Sequence, residues 1–149
     1  MGLQREYRES GGFSSYLYAQ RGDTIVASNG VAGKVVAKID GSAYDGLPIF
    51  SNTSEVYFKL DSSGEIIQAR IYKGRKPVCD FDWGHSHINK DGEKFECGVV
   101  HVQVFKQKTD GAWVRESKKA RYMSPEEMER YGELLKKSNS KVLTSSLKK

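Results

Sequence analysis

Three stretches in which apolar and polar residues alternate with a period of two decide what this chain can fold into. In residues 55–60, Val56, Phe58 and Leu60 point one way while Glu55, Tyr57 and Lys59 point the other, the signature of a strand with one buried face. Asp61-Ser62-Ser63-Gly64 follows as a four-residue turn. Across it, the expected pairing sets Phe58 opposite Ile67, Val56 opposite Ala69, Tyr57 opposite Gln68 and Glu55 opposite Arg70, so the apolar faces agree. Residues 78–83 and 98–105 continue the pattern. Cys79, Phe81 and Trp83 alternate with Val78, Asp80 and Asp82, and Val100, Val102 and Val104 alternate with Val99, His101, Gln103 and Phe105.

The remaining segments fit around such a sheet. Residues 23–27 and 34–39 read as short strands separated by the turn signals Asn29-Gly30 and Ala32-Gly33, which predicts a small hairpin. Residues 40–53 read as a loop anchored to the body by Leu47, Ile49 and Phe50, and residues 84–96 as an irregular loop. Ser124-Pro125-Glu126-Glu127 forms a capping box with proline at the first helical position. Met128, Tyr131, Leu134 and Leu135 then follow at helical spacing, and the helix is expected to fade near Asn139. A chain of 149 residues holds one domain of ordinary size. The expectation is therefore a single α+β domain over residues 1–139, with an antiparallel sheet of about five or six strands and a C-terminal helix. Residues 1–12 are expected to be mobile and residues 140–149 to form a basic disordered tail.

Charge and composition narrow the function classes. No run of about 18 apolar residues is present to span a bilayer. The polar start, residues 1–10, has no apolar core of a secretory signal, so a cytoplasmic location is expected. In that compartment Cys79 and Cys97 are expected as thiols rather than as a disulfide, and Cys79, on the core face, as an inert one. Residues 115–149 carry ten Lys and Arg against five Asp and Glu, so the whole excess of +5 is C-terminal. Such an appendage attracts phosphate backbones or an acidic partner through salt-screened forces, or simply solubilises the chain.

All three histidines lie between residues 85 and 101, near two aspartates. If the strands share one sheet, a single face gathers Tyr57, Lys59, Gln68, Arg70, Tyr72, Asp80, Asp82, His101 and Gln103. These residue types hold and protonate a phosphate ester. In metal-independent RNA cleavage, His101 would act as base and His85 or His87 as acid. Arg70 would steady the phosphorane and bind phosphate with Tyr72, and Asp82 completes the catalytic set. Tyr57, Lys59, Tyr72, Asp80 and Gln103 would bind substrate. The alternative is a divalent metal such as zinc, for which Asp80, Asp82, His85 and His87, with His101 as a further candidate, supply suitable N and O donors, although no established ligand spacing is present. A solvated face with incidental ion pairs, such as Arg70 with Asp80, is the third reading.

The segments Val56-Tyr57-Phe58-Lys59, Gln68-Ala69-Arg70-Ile71-Tyr72, Asp80-Phe81-Asp82-Trp83-Gly84-His85-Ser86-His87 and Val100-His101-Val102-Gln103 resemble a pattern in small proteins of phages and mobile elements. They also resemble C-terminal toxin domains of the barnase, colicin and RelE-like nuclease group. That resemblance implies an antiparallel sheet whose face cleaves RNA, without metal in several members. Gln103 stands where it would lead one to expect a second histidine. The partners implied are RNA or another nucleic acid. A phage protein of this build could instead bind a host protein without catalysis, for instance to inhibit a host defence system.

Overall fold

The computed structural model describes residues 18–39, 46–52 and 54–144. Among them are ten strands and one helix: β1 (Tyr18–Gln20), β2 (Ile25–Val26), β3 (Ala32–Lys38), β4 (Val56–Leu60), β5 (Ile66–Lys73), β6 (Lys76–Asp82), β7 (His87–Ile88), β8 (Lys94–Phe95), β9 (His101–Gln107), β10 (Trp113–Arg115) and α1 (Pro125–Ser138). Eight strands form the main sheet, in the order β1-β3-β4-β5-β6-β9-β10 with β2 also on β3, while β7 and β8 pair separately. The α+β class stands. The expected five or six strands are corrected to eight, and the sheet is mixed, because β3 and β4 run parallel.

That parallel pair depends on a glycine. A Cβ on Gly33 would lie 2.4 Å from Phe58 Cε2, so only a residue without a side chain lets β3 lie beside β4 at the Gly33–Val56 position. The β4–β5 hairpin forms, with its register displaced from the expected one. Phe58 faces Ala69, Val56 faces Ile71 and Tyr57 faces Arg70, with an irregularity between Lys59 and Leu60. The connection is longer than the four residues 61–64: the Asp61 amide bonds the Glu65 carbonyl, and Asp61 Oδ1 accepts from the Ser63 and Glu65 amides. The net slip is two residues, so every side chain keeps its face.

The apolar face carries Val56, Phe58, Ala69, Ile71, Cys79, Phe81 and Val102, all buried, and is covered by Tyr131, Leu134 and Leu135 of α1. The helix starts as its sequence dictates: Ser124 Oγ accepts from the Glu127 amide, and the Glu127 side chain accepts from the Ser124 amide. Arg130 clasps Glu55 through two bonds of 2.7 Å, and Tyr131 donates to the same carboxylate. The helix ends at Asn139, and the next residues do not detach. Val142 is fully buried, and Leu143 bonds the backbone of Gly98 and Val100. The expected disordered tail is thus corrected over residues 140–144; residues 145–149 and the lead-in 1–12 lie outside the described residues.

The opposite face is covered as well. Leu47 packs with Tyr18, Val36, Tyr57 and Tyr72 in a second, smaller core. The loop around residues 46–52 therefore roofs the face that alternation marked as polar.

Candidate metal centre

Strand β6 ends at Asp82, and the chain must leave the sheet there. Trp83 Nε1 donates to the Ile66 carbonyl, and the Gly84 amide donates to Asp82 Oδ1 at 3.1 Å. A Cβ on Gly84 would lie 2.7 Å from Ile67 Cβ, so the exit requires glycine. His85 follows directly. What the sequence presented as an irregular loop contains the β7–β8 hairpin, which places His87 opposite Phe95. His101 opens β9 in register with Asp82. Three separate elements therefore deliver one imidazole each to the same end of the sheet.

Each of the three rings offers a nitrogen within 4.8 Å of the others. The His101 ring lies between its neighbours, edge-on to His85 at 5.3 Å between centroids and stacked on His87 at 5.1 Å, with Phe95 tilted against it at 5.6 Å. Burial is graded: His85 is exposed, His87 half-buried and His101 only 1% exposed. His101 Nδ1 is the one buried side-chain N or O atom without a hydrogen-bond partner among the described residues. A buried polar atom left unpaired costs about 1–3 kcal/mol, so such an atom calls for a ligand or a role.

The two outer rings are oriented by fixed groups. Asp82 Oδ1 lies 3.3 Å from His85 Nδ1, so the carboxylate faces that nitrogen and Nε2 is the ring's other donor atom. His87 Nε2 lies 3.0 Å from Asn89 Oδ1. Asn89 is buried and locked to the Ala120 backbone, accepting from its amide at 2.8 Å and donating to its carbonyl at 2.9 Å. The Asn89 oxygen is thus an acceptor, His87 Nε2 carries hydrogen, and its Nδ1 keeps a lone pair. Burial lowers the His101 pKa and His85 and His87 lower it further, against Asp82 and the Val99 backbone, which raise it; the balance is below the ordinary histidine value. A neutral ring is the form that ligates metals.

The other expected site residues share the face but not the cluster. Arg70 binds Asp80 through two bonds of 2.6 and 3.0 Å, and its remaining terminal nitrogen donates to the Leu47 and Pro48 carbonyls. Arg115 adds a second cation to Asp80 at 2.9 Å. Tyr72 donates to the Pro48 carbonyl, and burial first, opposed by Arg70, pushes its pKa well up. Tyr57 stands edge-on to Tyr72 at 5.1 Å and accepts from the Asn52 amide. Gln103 Nε2 donates to the Lys118 carbonyl at 3.2 Å. Lys59 is half-buried opposite Gln68, itself buried. Arg70, Tyr72, Tyr57, Asp80 and Gln103 therefore help to hold the roof and the flanking loop onto the sheet. Of the expected metal donors, His85, His87 and His101 come together, while Asp80 is paired with Arg70 and Arg115 and Asp82 stands behind His85. Cys79 and Cys97 are both thiols; Cys79 is buried, with burial pushing its pKa up, and neither belongs to the cluster.

Asn89 escaped the sequence reading because Asn89-Lys90-Asp91-Gly92 presents itself as a turn. Its second role, bracing His87 against Ala120, joins residues 31 apart in sequence and leaves no local signal. Comparison with known proteins finds no matching family model, no matching curated protein and no matching solved structure.

Proposed function

We propose that His85, His87 and His101 hold one divalent transition-metal ion of the zinc class, and that the protein uses it to cleave phosphodiester bonds, those of RNA first among them. The observation that carries this reading is the triangle of imidazole nitrogens within 4.8 Å of one another; that buried His101 also has an Nδ1 without a hydrogen-bond partner supports it. In four-coordinate zinc with Zn–N near 2.0–2.1 Å, ligand nitrogens lie about 3.4 Å apart. Side-chain rotations of exposed His85 and half-buried His87 cover the difference of at most about 1.4 Å. Three neutral imidazoles leave a fourth position for water, the arrangement of hydrolytic rather than structural zinc. Asp82 and Asn89 are the groups that orient His85 and His87 from behind.

An ion also supplies the charge that the metal-free scheme lacked, because Arg70 is consumed by Asp80 and the roof. The reaction consumes one water. Its oxygen ends on phosphorus, one P–O ester bond breaks, and the leaving oxygen takes a proton. The test is to strip the protein with chelator, titrate it with zinc and with cobalt, and assay labelled RNA with and without EDTA. One ion per chain, a cobalt spectrum of four-coordinate type, and cleavage lost both with EDTA and in His101→Ala support the reading. Cleavage that survives EDTA returns the reaction to imidazole acid–base chemistry, and zinc bound without cleavage of any phosphodiester makes the centre a structural staple.

A further inference from the structure

His87 has a second surroundings besides the cluster. It lines a groove of about 580 Å³ together with Ile88, Asn89, Lys90, Asp91, Ser117, Lys118 and Lys119. The groove runs between the β7–β8 turn and the segment leading to Ala120. Its two walls are tied together by three contacts: Asn89 bonds both backbone groups of Ala120, and Lys119 Nζ reaches Asp91 Oδ2 at 3.1 Å. The Lys118 backbone is pinned from within the sheet by Gln103. The groove is therefore built by the fold, and its position beside His87 is fixed by the same asparagine that orients that ring.

Its charge is one-sided. Of its three lysines only Lys119 is paired, to Asp91, the single carboxylate of the lining. Lys90 and Lys118 are exposed and have no ion-pair partner among the described residues. Ile88, 63% exposed, offers an apolar patch on the rim, with Lys94 opposite it in β8. A concave, cationic site of this volume has room for about one or two nucleotides of an unpaired strand.

We infer that this groove binds the phosphodiester backbone of a single-stranded nucleic acid, with Lys90 and Lys118 as the phosphate-binding cations and Ile88 as an apolar rest for a base. The inference rests on the reading of the three-histidine centre as one that cleaves phosphodiesters. A strand held for cleavage carries further phosphates to either side of the scissile one, and cations next to the centre have those to hold. Lysines bind them as point charges, without regard to sequence.

The test uses fluorescence anisotropy of labelled single-stranded RNA and DNA of one sequence, about 12 nucleotides long and so within the usual site sizes. The full chain is measured zinc-free and zinc-loaded, over a series of salt concentrations. The Lys90→Ala/Lys118→Ala double variant is expected to bind severalfold more weakly and to lower the slope of log K against log salt by about 1.4, at about 0.7 per single-strand phosphate contact. A Lys106→Ala/Lys108→Ala control, at the far end of β9, is expected to bind as the native chain does. RNA bound more tightly than DNA, or equally, each agrees with the inference and reports whether the 2′-hydroxyl is read. Equal weakening by both double variants, an unchanged slope, or no binding of either oligonucleotide overturns it, and the last outcome leaves an acidic protein surface as the occupant to be tried. Zinc stoichiometry, measured in parallel, separates the two proposals: one zinc per chain with an indifferent groove rejects only the groove, and groove-dependent oligonucleotide binding by a chain that takes up no zinc in titration rejects only the centre.

Discussion

Asp80 is 1% exposed and stands between two guanidinium groups, accepting at 2.6 and 3.0 Å from Arg70 and at 2.9 Å from Arg115. Replacing it with asparagine keeps the volume and removes the charge. With its amide oxygen at the Oδ2 position the asparagine accepts two of the three bonds, and the amide NH₂ then faces Arg70 Nε with no lone pair to offer. Arg70, itself 6% exposed, keeps its bonds to the Leu47 and Pro48 carbonyls and loses its counter-charge. Breaking a buried pair from one side costs about 3–5 kcal/mol. With one acceptor retained, Asp80→Asn is expected at the low end, about 3 kcal/mol. For a domain of this size that corresponds to a fall in melting temperature of roughly 6–12 °C. The assay is urea unfolding of zinc-free protein, with melting temperature as a second reading. A loss below about 1 kcal/mol would refute the account of Asp80 as a structural counter-ion, for that is what exposed pairs give. Zinc affinity is expected to survive the change, because Asp80 lies outside the triangle.

Asp82→Asn is expected to reverse that pattern, weakening zinc binding by about 10–100-fold, as loss of a group behind a metal-binding histidine does, while the urea midpoint barely moves; equal zinc affinity would remove Asp82 from the centre. Gly33→Ala drives a Cβ to 2.4 Å from the Phe58 ring and should cost about 1–3 kcal/mol, whereas Gly46→Ala, with nothing within 4 Å, should be near neutral in the same unfolding assay. Glu55 has its pKa lowered by the Arg130 bond, against burial and with help from Tyr131. A depressed carboxylate adds stability that is present above its unfolded pKa, about 4.3, and lost as pH falls through the lower folded value. Native protein should therefore lose stability more steeply than Glu55→Gln as pH drops from about 5 to 3, and parallel curves would contradict this. Val142→Ala should cost about 2 kcal/mol for its two lost methyl groups and the cavity they leave, a change that a detached tail would not register.

The chain announced its strands well and their environment poorly. Alternation is a local property of the backbone, so the shared faces of Asp82 with His101 and of Arg70 with Asp80 followed from parity even though the β4–β5 register is displaced by two residues. The capping box at Ser124 is likewise local, and it appears as read. What parity does not contain is whether a face meets water. The polar side chains of Arg70, Asp80 and Gln103 mark a face without saying what covers it: the carbonyls of Leu47 and Pro48 accept from Arg70, that of Lys118 accepts from Gln103, and Asp80 accepts from Arg70 and Arg115. A carbonyl has no side-chain identity, so no sequence pattern advertises it. The parallel β3–β4 pairing left only Gly33 as a trace, and a glycine before a strand reads equally well as a turn. The docking of Leu143 between Gly98 and Val100 involves backbone groups alone and hid within a lysine- and serine-rich end.

Asp80 and Asp82 make the point in one strand. They lie two residues apart in β6 on the same face and look interchangeable in the sequence, and their surroundings assign them opposite work. Asp80 pairs in register with Arg70 on one side and Gln103 on the other, beneath the roof, and its charge is spent on closing the interior. One step further along, the register partners become Gln68 and His101, neither of them a cation to neutralise Asp82. The strand ends there, Gly84 turns the chain out, and the Asp82 carboxylate is left to face His85 at the rim. The same sheet face is thus a closed polar interior at its centre and an open set of imidazoles at its end. The boundary between the two falls where the last arginine is used up. Moving that boundary is a direct experiment: Gln68→Arg would bring a guanidinium next to Asp82, and if the centre depends on that carboxylate serving His85, zinc binding should weaken as it does in Asp82→Asn.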